Sequence, residues 1–260
     1  MALVTTSDGG FLMKKIFAFT IVALTAITMV FAGGASEDDG VYTFATDATW
    51  PPFEFIDENG TLTGFEVELI PLIGEHVGVT MTVENIPWDT IFAGLANGQY
   101  DGVASGVTIT DERKMTMDFS TPIANQGQVV IVMTDSSVQS VDDLTGLKVG
   151  VQIGTTGDFA LDDYDVDRRQ YDDIGLAIQD MINGNIDACV CDSQIASDFV
   201  LANENYSGIL RIAGEPFTDE LIAIAVQKGN TELLDLINQG LAAMEEDGSL
   251  AALKAKWNIL

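Results

Sequence analysis

The chain has 260 residues, 47% of them hydrophobic and 20% charged, and its 40 acidic against 11 basic side chains give a net charge of −29. That is ample for a buried core in one large domain or two lobes, and no long low-complexity tract signals disorder beyond the N-terminus. The negative excess excludes binding to nucleic acid through its phosphates, which needs clustered Lys and Arg; being spread along the chain, it reads as a solvated acidic surface.

Met13-Lys14-Lys15 precedes seventeen uncharged residues, Ile16 to Ala32, then Gly33-Gly34-Ala35 and the acidic Glu37-Asp38-Asp39. A basic start, an apolar middle and small residues at the end describe a secretory signal peptide over residues 1–35. Val30-Phe31-Ala32 and Gly33-Gly34-Ala35 are both plausible cleavage sites, and residues 1–12 carry no signal character. An uncleaved anchor helix is the alternative, because the run sits at the short edge of a membrane span. Without residues 1–35 the chain keeps 39 acidic and 9 basic residues. The expected location is periplasmic or otherwise extracytoplasmic.

From Val41 onward short β-like runs alternate with amphipathic helical stretches, the pattern of an α/β protein. Tyr42–Thr46 reads as a strand and Phe65–Val77 as a helix, with apolar residues at 65, 69, 72, 73 and 77. Pro71 falls inside that helix and predicts a kink. Met81–Glu84 is a strand, and Trp88–Ala96 is a helix stopped by Asn97-Gly98. Val129–Met133, Lys148–Gln152, Ile186–Cys191 and Leu221–Val226 read as strands. Ile174–Ile182, Ser193–Ala202, Thr231–Glu246 and Ser249–Trp257 read as helices. Cys189 and Cys191 point to one face of a strand without facing each other. A disulfide there would be strained, two thiols make a poor zinc site, and both read as small buried apolar residues.

One internal echo stands out. Leu95-Ala96-Asn97-Gly98-Gln99-Tyr100-Asp101-Gly102-Val103 resembles Met181-Ile182-Asn183-Gly184-Asn185-Ile186-Asp187-Ala188-Cys189. Each is a helix end, a Gly turn and an Asp leading into a strand. In this register Ser105-Gly106 falls opposite Cys191-Asp192. Ligands gather at the carboxyl ends of strands in open α/β sheets, so two similar lobes would each offer a strand end to one shared site.

A free amino acid needs a cation for its carboxylate, an anion for its ammonium and a desolvated slot. Arg113 suits the first role, since its planar fork can grip a carboxylate through two parallel hydrogen bonds; a surface ion pair with Asp111 or Glu112 is its other reading. Gly154-Thr155-Thr156-Gly157, between a strand and a helix, would aim backbone N–H groups outward. Asp192 suits the ammonium, or else caps the helix that follows. Trp50 and Trp88 are aromatic walls or core.

Ala45-Thr46-Asp47-Ala48-Thr49-Trp50-Pro51-Pro52-Phe53-Glu54-Phe55, Gly64-Phe65-Glu66-Val67-Glu68-Leu69 and Ser105-Gly106-Val107-Thr108-Ile109-Thr110-Asp111-Glu112-Arg113 together resemble the polar amino-acid solute-binding proteins of ABC importers, the bacterial extracellular solute-binding proteins of family 3. Gly150-Val151-Gln152-Ile153-Gly154-Thr155-Thr156 and Lys256-Trp257 extend the resemblance, which runs in order from about Val41 to Leu260. It implies a two-lobed α/β periplasmic-binding-protein type II fold with two crossing hinge strands, near Ile123–Val129 and Gly214–Glu220. The segments would be 36–125 for lobe one, 126–217 for lobe two and 218–260 for the return to lobe one. It also implies roles. Arg113 would clamp the carboxylate with backbone N–H groups of Thr108 and Thr156. Asp192, the Gly106 carbonyl and the Thr108 hydroxyl would take the ammonium. Trp50 and Trp88 would sandwich the side chain, Asp47 would reach its polar end, and Ser105 and Gln152 would line the slot. Cys191 departs from residues common before that Asp, which leaves the side-chain end open.

The expected partners are a free L-amino acid, with glutamine, arginine or lysine favoured, and the membrane subunits of an ABC importer. The protein is expected to be a monomer, with no cofactor and no metal. A dehydratase-like enzyme on the same scaffold would need a general acid in the cleft, and the single histidine, His76, sits at the end of a predicted helix away from every pocket motif. A membrane-tethered amino-acid sensor is the third class, normally requiring membrane segments or a signalling domain after the lobes.

Overall fold

The computed structural model describes residues 40–259 apart from Glu204 and Ser207, so the leader read from the sequence lies outside the described residues. Val41–Thr46 (β1) opens the first sheet; Phe44 and Ala45 are fully buried in it. Three short strands follow, Thr49–Trp50 (β2), Glu54–Ile56 (β3) and Leu62–Thr63 (β4), forming a small antiparallel sheet. Helix α1 (Phe65–Val77) returns the chain to β5 (Thr80–Asn85), and α2 (Trp88–Ala96) leads to β6 (Gly102–Val103). α1 buries Phe65, Leu69, Ile70 and Ile73, each such side chain stabilising the fold by about 1.5–3 kcal/mol. It runs through Pro71 as one element, with the proline ring on the exposed face.

A short helix, α3 (Asp111–Thr116), precedes β7 (Met117–Phe119) and β8 (Ala124–Gln126). The chain then builds a second sheet from β9 (Gln128–Met133), β10 (Lys148–Gln152), β11 (Asp167–Tyr171), β12 (Ala188–Asp192) and β13 (Leu210–Ala213). Helices α4 (Thr156–Ala160) and α5 (Ile174–Ile182) join its parallel strands, and α6 (Ser193–Ser197) follows β12. β14 (Glu220–Ile222), β15 (Ala225–Gln227), α7 (Thr231–Asp247) and α8 (Ser249–Trp257) complete the described fold.

The two sheets repeat one plan. The first has the order β5-β1-β6-β15-β7 and the second β11-β10-β12-β9-β13. In each, the strand second from one edge is flanked by two parallel neighbours reached through helices, and a fourth strand runs antiparallel beside the third. The fourth strands, β15 and β9, lie next in sequence to β14 and β8, which pair with each other as an antiparallel ribbon. The molecule is therefore a two-lobed α/β fold with a sheet in each lobe.

The echo read from the sequence is structural. Asn97 and Asn183 end their helices in right-handed conformation, and Gly98 and Gly184 then take φ of 68° and 78°, which glycine adopts without steric cost. Asp101 accepts the Thr43 N–H of β1 at 2.7 Å, and Asp187 accepts the Lys148 N–H of β10 at 2.8 Å.

Some expectations need correction. Leu221–Val226 is two strands: Glu220–Ile222 pairs with β8, whereas Ala225–Gln227 joins the first sheet. The break at Ala223-Ile224 is fixed by bonds to Val107 and Ser120, and six consecutive apolar residues give no periodicity to reveal it. The helix expected over Ser193–Ala202 is α-helical only to Ser197 and becomes a π-turn over Asp198–Ala202. Strand β12 begins at Ala188 and includes Asp192. Strand β11, Asp-Arg-Arg-Gln-Tyr, escaped because a charged edge strand carries no apolar alternation. Cys189 and Cys191 are free thiols in the core, and burial raises the pKa of both.

Candidate functional site

The carboxyl ends of β1, β6, β10 and β12 converge on one pocket. All ten residues singled out from the sequence line it: Asp47, Trp50, Trp88, Ser105, Gly106, Thr108, Arg113, Gln152, Thr156 and Asp192, with Thr155 beside them. The described residues hold no His/Cys/Asp/Glu group suited to a metal ion.

Arg113 sits in α3, whose N-cap Thr110 accepts the Arg113 N–H. Its Nη1 donates to the Thr108 carbonyl at 3.0 Å, and its guanidinium lies 5.5 Å from the Trp88 ring centroid and 5.1 Å from that of Phe92. It makes no ion pair among the described residues; the nearby Asp111 pairs with Lys114 instead. The aromatic faces and one carbonyl hold the fork in place while leaving donors free for an anion. Burial pulls its pKa down to about 10, against the pull of Asp192, Glu220 and Glu112.

Asp192 faces it from the second lobe. Its side chain makes no capping bond to α6; Oδ1 accepts Gln128 Nε2 at 3.1 Å. It is 4% exposed, and burial, then Glu220, push its pKa up to about 8 against the opposing influence of Arg113. A cation in the pocket would restore its charge.

Thr108 is the junction between these groups. Its Oγ1 donates to Glu220 Oε2 at 2.8 Å and lies 3.2 Å from Thr156 Oγ1. Gln128 Nε2 reaches Thr156 Oγ1 at 3.3 Å as well as Asp192. Thr156 opens α4, whose N-cap Thr155 accepts the Asp158 N–H. Asp158 braces this loop by accepting from Gly154 N, Gln170 Nε2 and Arg168 Nη1.

At the far end, Asp47 Oδ2 accepts Gln152 Nε2 at 3.1 Å, a second bond from lobe to lobe. Gln152 also donates to the Asp172 carbonyl. Burial raises the Asp47 pKa, with a further rise from Asp173. Trp50 packs on the Ser105–Gly106 turn, where Gly106 has φ of 56° and a Cβ would lie 3.1 Å from the indole. Trp88, at the first position of α2, stacks edge-on with Phe92 at 4.9 Å. The Ser105 hydroxyl accepts the Asp47 N–H and donates to Glu54, so it shapes the slot.

Sequence reading missed Gln128 and Glu220, which join the site's hydrogen-bond network. Both are buried polar residues at the hinge, and Gln126 and Gln128, two apart beside an apolar run, were the available signal.

This arrangement presents a cation, backbone groups and acids around a small desolvated space, which suits a zwitterion. The comparisons agree with that architecture. Residues 42–259 match the family described as bacterial extracellular solute-binding proteins, family 3. The L-cystine-binding protein TcyJ of Escherichia coli K12 is 37% identical over 225 residues, covering 85% of this chain and 84% of that protein. An ancestral arginine-binding protein bound to arginine is 39% identical with a TM-score of 0.79, covering 84% of this chain and 98% of its own. An ancestral arginine-binding protein bound to glutamine has the same identity and TM-score, with 84% and 97% covered. Matched from its first strand to the residues after its last helix, the chain belongs to the bacterial extracellular solute-binding proteins of family 3.

Proposed function

We propose that the protein binds a free polar or basic L-amino acid, with glutamine, arginine or lysine favoured, and delivers it to the membrane subunits of an ABC importer. The observation that carries this reading is the Arg113 fork, in no ion pair among the described residues, set against the buried Asp192 carboxyl across one pocket. Arg113 and the Thr156 end of α4 receive the carboxylate. Asp192, the Gly106 carbonyl and the Thr108 hydroxyl receive the ammonium. Trp50 and Trp88 flank the side chain, and Asp47 with Gln152 meets its polar end. Asp47 and the neighbouring Asp173 make that end acidic, which favours a cation or an amide over a carboxylate. The relatives' named ligands support the class: cystine for one, arginine and glutamine for the ancestral proteins.

In this reading residues 1–35 are a leader for export, the protein works as a monomer outside the cytoplasm, and binding involves no chemical step. The lobes are 36–125 with 218–260, and 126–217. A thermal-shift panel of the twenty amino acids, on protein unfolded and refolded free of ligand, tests it. A ligand at 100 times its Kd adds about 2.7 kcal/mol of stability. A panel in which no amino acid raises Tm overturns the reading.

A further inference from the structure

Two motif glutamates have no place in the ligand contacts above. Glu54 lies on β3 and Glu66 in the first turn of α1, and both are 0% exposed. Each uses one carboxyl oxygen to hold the turn that lines the pocket. Glu54 Oε1 accepts the Ser105 hydroxyl at 3.0 Å, and Glu66 Oε2 accepts the Gly106 N–H at 2.5 Å. The other two oxygens, Glu54 Oε2 and Glu66 Oε1, are buried and receive no N–H or O–H donor among the described residues. The two carboxyl groups are within hydrogen-bonding reach of each other. Neither glutamate is in an ion pair among the described residues, and the further charged group acting on Glu54 is Asp47, another anion. Two buried carboxylates in such contact would repel strongly if both were ionised; one proton between the orphaned oxygens satisfies both.

We infer that Glu54 and Glu66 share a proton, and that this carboxyl pair positions the Ser105–Gly106 turn against the ligand, so that loss of the proton loosens the turn and weakens binding. The affinity part rests on the amino-acid-binding reading above. Burial raises the pKa of both groups, that of Glu66 to about 7, and the two titrate as a unit. Trp50 is a built-in reporter, since it pairs with Glu54 in the β2–β3 hairpin and packs on Gly106.

The ligand-free full chain is titrated from pH about 5 to about 9 by infrared difference spectroscopy and tryptophan fluorescence, as parent, E66Q, E66A and the E54Q/E66Q double variant. The expected result is protonated-carboxyl absorbance in the parent at neutral pH beyond that of Asp192, which the double variant retains, with a change in Trp emission on loss of the additional absorbance. In E66Q the amide oxygen can accept the Gly106 N–H while its NH2 supplies the missing hydrogen to Glu54, so the pH-dependent emission change disappears. Calorimetry with L-arginine and L-glutamine follows. The ratio of parent Kd to E66Q Kd rises with pH by up to about tenfold per unit, the limit for one proton. E66A, which loses the acceptor, binds more weakly than E66Q at every pH. Absence of the infrared difference, or a pH-independent ratio of the two Kd values, overturns the inference. If neither amino acid binds the parent, the functional reading fails, while the ligand-free band and Trp emission still decide whether the pair holds the turn.

Discussion

The carboxyl ends of β6 and β12 share one local design and deliver opposite chemistry. Both follow a helix stopped by Asn-Gly, and both are tied to the neighbouring parallel strand, β1 or β10, by an aspartate that accepts a backbone N–H. Beyond that point they part. After β6 the chain turns at Ser105–Gly106, places no charged side chain at the strand end and brings its cation, Arg113, from the helix that follows. β12 ends on Asp192, whose carboxyl faces the pocket. The repeated unit sets the address, and the residue at the address sets the charge. In the amino-acid-binding reading proposed above, a zwitterion would satisfy both ends by lying between the lobes, so that closure and recognition would be one event.

Removing the cation from the first lobe breaks this comparison most severely. Arg113→Ala leaves an incoming carboxylate desolvated without a partner, at a cost of roughly 2–5 kcal/mol, and each 1.4 kcal/mol is tenfold in affinity. Arg113→Lys recovers little of this, because an ammonium cannot copy the bidentate fork held against Trp88 and Phe92. Calorimetry with the best ligand, alongside circular dichroism to confirm folding, checks both variants. Either one binding within about threefold of the parent removes Arg113 from the carboxylate.

The matching change in the second lobe, Asp192→Asn, has two opposed effects. Binding weakens by about 2–4 kcal/mol as the ammonium loses its charged partner. The empty protein, in contrast, becomes more stable. The folded-state pKa of Asp192, about 8, lies above the usual 3.8, so the folded protein holds more protons between those values and loses stability as pH rises through that window. Asparagine keeps the Gln128 contact and escapes that cost. Tm of parent and variant should therefore converge near pH about 4 and diverge by pH about 8, with the variant higher. A variant that melts below the parent throughout would assign Asp192 a purely structural role.

The sequence carried the address better than the hinge. Parallel strands and their helices were legible because their apolar periodicity is local, and the helices Phe65–Val77, Trp88–Ala96, Ile174–Ile182 and Ser249–Trp257 match residue for residue. Ten pocket residues were legible through the family resemblance and the echo, since motif positions at strand ends converge by topology. Glu220 and Gln128 were not, because their importance arises from β8 and β14 pairing across 94 residues of chain, from Gln126 to Glu220. The Glu54–Glu66 pair was hidden for a related reason: each glutamate reads alone as a surface acid, and only the fold brings them together without a cation.

Closure sharpens the comparison at smaller cost. Thr108–Thr156 and Asp47–Gln152 are direct bonds from lobe to lobe. Gln152→Ala strips the buried Asp47 carboxyl and the Asp172 carbonyl of a donor, and should weaken binding by about 1–3 kcal/mol through faster dissociation. Small-angle scattering should give a smaller radius of gyration with ligand than without, as hinge closure requires. An unchanged radius at confirmed saturation, with dissociation as slow as the parent's, would mean that these bonds do not latch the lobes.

The smallest effect concerns ligand choice, and it falls on Asp47. Its Oδ2 is engaged by Gln152, and both oxygens of an ionised carboxylate can only accept hydrogen bonds. A ligand side chain reaching it must therefore donate, as an amide NH2, an ammonium or a guanidinium does. A glutamate side chain instead meets like charge from Asp47 with Asp173 close by, so Gln, Arg or Lys should bind at least about tenfold better than Glu. Asp47→Asn keeps an acceptor oxygen but removes the charge, so the loss depends on what the ligand carries. A cationic side chain should lose about 1 kcal/mol more than glutamine, roughly a fivefold change in their ratio, because the amide still pairs with an amide. A calorimetric panel of Gln, Arg, Lys, Glu and Leu on parent and variant measures that ratio directly. Tightest parent binding to Glu or Leu, or a Gln-to-Arg ratio that Asp47→Asn leaves unchanged, would take specificity away from Asp47 and leave it as a partner of Gln152 alone.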